Sequence, residues 1–149
     1  MAITILLIAA CSDSSNIEHF SSKEKALENF IGDENIKGNI DLITTTKTEK
    51  ILVTQQSENI YFVGEFKEDE EEFYAVRISD NVQMETGASW ELITMDGNEY
   101  TIFFKKTTVE PYFIQLSNEE YYISVVDGHM SDEKSALTNV IEGVEIVKK

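Results

Sequence analysis

The chain has 149 residues, 42% of them hydrophobic, with one cysteine and a formal net charge of -16. That length and apolar content suit one domain with a real core and exclude wholesale disorder, and a lone cysteine excludes an intramolecular disulfide, so packing must hold the fold. The charge excludes nucleic acid, because no basic stripe exists to displace counterions from phosphates, and it argues against adhesion to anionic lipid or wall polymers. A cationic protein partner, metal cations or plain solubility remain as its meaning, and solubility is the simplest of the three.

The first element in chain order is apolar. Ile3, Ile5, Leu6, Leu7 and Ile8 run into Ala9-Ala10-Cys11, after which Ser12 to Asn16 is small and polar. A spanning helix needs about 20 apolar residues, so the run is too short to cross a membrane. It has the length of the apolar region of a secretory signal. Ile8-Ala9-Ala10-Cys11 resembles the lipobox of bacterial lipoproteins, and the chain is similar in general character to small lipoproteins of Gram-positive bacteria. The resemblance spans only these first residues. It implies cleavage between Ala10 and Cys11, a diacylglyceryl group on the Cys11 thiol, and an anchored protein on the extracytoplasmic face of the cell membrane. Two acyl chains anchor stably where one holds only marginally. Met1-Ala2-Ile3 lacks the Lys or Arg that opens such signals, so either the start lies upstream of Met1 or the signal is weak. The competing reading is a buried strand from Ala2 to Ala10 ending in a free cysteine. On the lipoprotein reading residues 1–10 are signal peptide, 11–20 are lipidated cysteine and polar tether, and 21–149 form a single domain.

That domain opens with a helix. Ser21-Ser22-Lys23-Glu24 fits a capping box, Ala26, Leu27, Phe30 and Ile31 share a face, and Gly32 stops the run. From Ile40 the period changes to two. Strands are expected from Ile40, over Ile51 to Gln55, Ile60 to Phe66 and Phe73 to Ile78, with turns at Lys47-Thr48-Glu49 and Ser57-Glu58-Asn59. An acidic tip, Lys67 to Glu71, joins the last two. Trp90 to Met95 and Tyr100 to Lys105 flank Asp96-Gly97, the strongest hairpin signal in the chain. Pro111 falls between strands, and Tyr112 to Leu116 and Tyr121 to Val126 form a third hairpin around Ser117-Asn118-Glu119. At the tail, Ser131 caps a short helix carrying Ala136, Leu137, Val140 and Ile141, with Gly143 as its stop and a final strand from Val144 to Val147; a plain loop competes with it. The expected class is α+β: an N-terminal amphipathic helix packed on a twisted, mostly antiparallel β-meander, partly closed as a barrel or sandwich.

Candidate chemistry is sparse. Ser22-x-x-Lys25, Ser79-Asp80-Asn81 and Lys106-Thr107-Thr108 resemble, in order, motifs of penicillin-binding proteins and β-lactamases. The chain is far too short for that fold, however, and Thr108 replaces a required glycine. Glu65 and Glu68 to Glu72 offer oxygen ligands but lack the spacing of a calcium loop, so a solvated hairpin tip that blocks edge pairing is the expectation. His19 and His129 have no ligand-spaced neighbours for zinc. His129 near Ser131 and Asp132 spells a Ser/His/Asp grouping, but one crowded into a single loop. No catalytic residue, metal or cofactor is expected. The expected function is a lipid-anchored extracytoplasmic binding or accessory protein, held to the membrane through the diacylglyceryl group on Cys11. The alternative is an acidic inhibitor or immunity-type protein that binds a basic partner. A small hydrolase is the third class, recognisable by a pocket that holds His129 beside a serine and a carboxylate.

Overall fold

The computed structural model describes residues 16–85, 87–129 and 139–149. Ala10 and Cys11, with the whole signal reading, lie outside the described residues, as do Ser131, Asp132, Ala136 and Leu137.

One helix is present among the described residues, α1 (Lys23–Asp33). The sequence places the cap of the box at Ser21, but it falls one residue later, at Ser22, which has extended backbone and a side chain that accepts the Lys25 N–H at 3.2 Å. That satisfies one of the helix's orphan donors. The periodicity is read out as expected on one face, where Ala26, Leu27 and Phe30 are buried.

Ten strands follow: β1 (Ile40–Thr45), β2 (Lys50–Ser57), β3 (Ile60–Asp69), β4 (Glu72–Arg77), β5 (Val82–Gln83), β6 (Gly87–Ile93), β7 (Glu99–Lys105), β8 (Ile114–Gln115), β9 (Tyr122–Asp127) and β10 (Ile141–Lys148). They form two antiparallel sheets. The first runs β10-β1-β2-β3-β4 with β5 also on β3, and the second runs β6-β7-β9-β8.

The expected α+β class is therefore corrected. Among the described residues the domain is mainly β, the one short helix is not N-terminal, and the strands form two sheets rather than one meander closing into a barrel. The meander does run from β1 to β4. It stops there because after β4 the chain adds only the two-residue β5 beside β3, and β6 then pairs only with β7. The chain returns at its end, when β10 pairs with β1. The expected tail helix is corrected in part by the same strand: Ile141 and Gly143 belong to β10, opposite Thr45 and Thr44.

Alternation on β1 to β3 explains the layering. Ile43, Ile51, Val53, Tyr61 and Val63 point to one face and meet Leu92, Tyr100, Ile102, Phe104, Ile123 and Val125 of the second sheet in one cluster. Ile40, Leu42, Leu52, Phe62 and Phe66 point the other way and pack under Ala26, Leu27 and Phe30 of the helix. A first sheet covered on both faces buries consecutive residues in its central strands, Ile51 to Thr54 of β2 and Tyr61 to Phe66 of β3. Gly64 makes room for the helix, since a Cβ there would stand 2.6 Å from Phe30 Cζ. On the outer face of the second sheet Phe103 and Val126 form a smaller cluster with Phe113, against which Tyr112 and Tyr122 pack.

Two turns differ from expectation. Asp96-Gly97 belongs to a three-residue loop, Met95 to Gly97, closed by Thr94 N–H to Asn98 O at 2.9 Å, with Gly97 at φ +83°. A tight two-residue turn with two positive φ values occurs instead at Glu70-Glu71, between paired Asp69 and Glu72, with φ +46° and +69°. A primed turn with two positive φ values fits Asn-Gly best, and left-handed backbone costs an ordinary residue about 1–2 kcal/mol. The double substitution Glu70→Asn with Glu71→Gly is expected to raise stability by about 1–2 kcal/mol. A higher urea midpoint at unchanged denaturant slope is the check.

The end of the stretch read as tether docks on β4. Phe20 exchanges two backbone bonds of 2.8 Å with Phe73, and His19 stacks on Tyr74 at 4.5 Å with its Nδ1 2.9 Å from Glu72 Oε2. These contacts cover the β4 edge, which is otherwise open to pairing.

Candidate functional site

Two recesses lie where elements of both sheets meet. The first is a groove of about 500 Å³ between the end of β4, β5 and the start of the second sheet, lined by Ile78, Val82, Trp90 and His129 among others. Trp90 stacks on Phe104 with centroids 4.7 Å apart and planes 10° apart, and its buried indole N–H has no hydrogen-bond partner. His129 Nδ1 lies 3.3 Å from Glu91 Oε2.

Ser79 and Asp80 line the same groove, so His129 does share a recess with a serine and carboxylates. The serine is engaged elsewhere. Its Oγ accepts the Val63 N–H at 2.7 Å and donates to Asp80 O at 3.1 Å. A nucleophile needs its hydroxyl proton facing a base, and here that proton goes to a backbone carbonyl. Arg77 completes this corner by donating to Ser79 O and Asn81 Oδ1, both at 2.7 Å. Ser79-Asp80-Asn81 is thus a structural turn, Ser22 is a helix cap, and Lys106 is an exposed residue after β7.

The second recess is a cleft of about 350 Å³ at one end of the two sheets. Glu49 enters it from the β1–β2 turn, Glu65 from β3 and Asp96 from the β6–β7 loop. One oxygen from each lies within 4.8 Å of the others. Glu49 is 8% exposed and Glu65 only 1%. Tyr100 Oη donates to Glu49 Oε1 at 2.6 Å, Met95 N–H donates to Glu65 Oε2 at 2.8 Å, and Lys67 Nζ donates to Asp96 Oδ1 at 2.6 Å. Glu49 Oε2 is buried without a partner.

Electrostatics follow from this burial. Desolvation pushes the Glu65 carboxyl above its ordinary value, against the pull of the Met95 N–H and Lys67. Burial, and then the bond to Glu49, push the Tyr100 phenol up to about 12, so it stays a donor at any physiological pH.

Sequence reading placed Glu49 and Asp96 in turns and grouped Glu65 with the acidic tip. The structure separates Glu65 from Glu68 to Glu72, which are all exposed. A signal for it was present. Glu65 continues the alternation Tyr61, Val63, Glu65, so it stands on a face whose other members are buried and apolar.

Fold and recesses together define, among the described residues, a small, mainly β two-sheet domain with one helix on one face. Compared with protein families, curated proteins and solved structures, the chain finds no match. Among the described residues no helix is long and apolar enough to cross a membrane.

Proposed function

We propose that this protein is a lipid-anchored extracytoplasmic binding module without catalysis of its own. The observation that carries the reading is the apolar run Ile3 to Ala10 ending at Cys11, the chain's one cysteine, followed by the polar stretch Ser12 to Asn16. The position of the first backbone pairing among the described residues supports it. Phe20, paired with Phe73, stands nine positions after Cys11, a reach of about 30 Å at most for an extended chain. A domain so close to a diacylglyceryl group works near the headgroups, and its charge of -16 keeps it from lying flat on anionic lipid. The groove lined by Trp90, Ile78 and Val82 is the surface on which we place ligand contact.

Metabolic labelling with a radiolabelled fatty acid tests the anchor. Wild type is expected to carry label in the membrane fraction, and Cys11→Ala is expected to lose both label and membrane association. Unlabelled wild-type protein in the cytosol, still starting at Met1, would sink the reading.

The second reading is an acidic inhibitor of a basic protein. It is favoured by Glu68, Asp69, Glu70, Glu71 and Glu72, all exposed around one hairpin tip. Such binding weakens steeply with salt, because exposed charges are screened within about 8 Å at physiological ionic strength.

A further inference from the structure

We propose that Glu49, Glu65 and Asp96 form a divalent-cation site, taking calcium, that ties the two sheets together at one end of the fold. The proposal stands on the described residues alone and does not depend on the lipid anchor.

Exposed acidic groups often cluster without an ion, so clustering by itself decides nothing. Glu49 is the discriminating residue. More than nine-tenths buried, it keeps one oxygen, Oε2, with no donor at all, in a side chain that lines the cleft. An ionised oxygen removed from water with nothing to balance it is strongly unfavourable, and a bound cation balances it.

The donor pattern points the same way. Tyr100, Met95 and Lys67 each hold one oxygen of one carboxylate, which orients all three groups. Glu49 Oε2, Glu65 Oε1 and Asp96 Oδ2 take part in none of these bonds. Orienting ligands through their other atoms is what surrounding residues do around metals.

Charge gives the valence. Three carboxylates face one bonded ammonium, that of Lys67, so two negative charges are left over. Lys47 and Lys50 also line the cleft, but Lys47 is paired with Asp127 at 2.7 Å and Lys50 lies over the Phe66 ring, 5.6 Å from its centroid. Oxygen ligands without nitrogen or sulfur select hard cations over transition metals. Two of the three ligands sit on turns, and such an irregular set suits calcium better than magnesium, which demands a near-ideal octahedron. With a lysine in the shell the affinity falls in the class of extracellular modules, a Kd on the order of 10⁻⁴ to 10⁻³ M.

The test uses the full-length chain, treated with EDTA and then titrated with calcium chloride or magnesium chloride. Thermal melting is one readout. Terbium luminescence is the other, since Tyr100 bonded to Glu49 is placed to sensitise a lanthanide bound there. The melting temperature is expected to rise and saturate with calcium, and calcium is expected to displace terbium. Asp96→Asn, an exposed position that leaves the core alone, is expected to weaken calcium binding by about tenfold. Lys67→Met is expected to tighten it, because the competing cation is gone; a purely structural ion pair would give no such gain. Wild type that neither stabilises nor binds terbium with calcium present at about ten times the expected Kd overturns the site. So does calcium binding that survives Asp96→Asn and Glu65→Gln undiminished, which would place the ion at the exposed tip around Glu68 to Glu72.

Discussion

Phe104→Ala is expected to lower the unfolding free energy by about 3–5 kcal/mol. Phe104 is 2% exposed and lies in β7, the strand that β6 and β9 flank. Its ring is stacked on Trp90 and lies 5.5 Å from the ring of Tyr61, which belongs to β3 in the opposite sheet. Truncation therefore opens a cavity between the sheets and removes contacts on both sides of it. Against a total stability of about 5–15 kcal/mol for a small domain, that is a large share. Phe103, its neighbour on β7, is the control. It points to the outer face, into the small cluster with Phe113 and Val126. Phe103→Ala is expected to cost clearly less, because a cluster under a loop can collapse around the gap more readily than two sheets can close on each other. Urea unfolding of both variants, followed by circular dichroism and by Trp90 fluorescence, makes the comparison. Equal losses would mean that the inter-sheet cluster is not what joins the sheets.

Most of the strand content was legible because it is local. Ile40 to Thr45, Ile60 to Phe66 and Tyr100 to Lys105 are short runs rich in β-branched and aromatic residues, a strand signal carried by the run itself. The helix was legible for the same reason, with cap and apolar face both within eleven residues. What the sequence withheld is partnership. Nothing in Ile141 to Lys148 says that it pairs with β1, about a hundred residues earlier. Its residues are largely exposed, so it carries no strong apolar pattern. Nothing in Gly87 to Ile93 says that it opens a second sheet rather than extending the first. One meander and two sheets share the same local code and differ only in long-range pairing.

The cleft shows the same division between local and distant information. Glu49 follows a turn, Asp96 sits in another, and Glu65 lies within a strand, so their meeting depends on how the two sheets are set together. Only Glu65 carried a local sign, as a carboxylate in an otherwise apolar alternation. The acidic tip, by contrast, was conspicuous in sequence and is plain solvated surface in the fold.

Asp41 is another buried carboxylate, and its removal is expected to separate two effects that a single variant would confuse. It lies on β1, is 3% exposed, and accepts the Ser117 N–H at 3.1 Å and the Ser117 hydroxyl at 3.0 Å. Asn39 Nδ2 donates in turn to Ser117 Oγ at 3.0 Å. The network ties the first sheet to the turn between β8 and β9. Asp41→Ala leaves the part-buried Ser117 donors without their acceptor and is expected to cost about 1–3 kcal/mol. Asp41→Asn keeps an acceptor oxygen in place and removes the charge.

The charge is the costly part. Burial raises the Asp41 pKa above its ordinary 3.8, and the bonds to Ser117 offset this only in part. A folded-state pKa above the unfolded one means that the native protein binds the proton more tightly. The stability linked to that proton is fully present below about pH 3.8 and is lost as pH rises through the folded pKa. At neutral pH, wild type therefore carries Asp41 at a disadvantage. Asp41→Asn is expected to match or exceed wild type at pH 7 and to lose the advantage as pH falls through that window. Relief of the overall negative charge on acidification acts on both chains, so the difference between their melting temperatures across pH isolates Asp41. The comparison is made in EDTA, which keeps the Glu49 cleft free of added cations. Parallel curves for wild type and Asp41→Asn would show that Asp41 titrates alike folded and unfolded. Losses of equal size in Asp41→Asn and Asp41→Ala would show that Ser117 requires the ionised carboxylate, and that the charge stabilises the junction rather than burdening it.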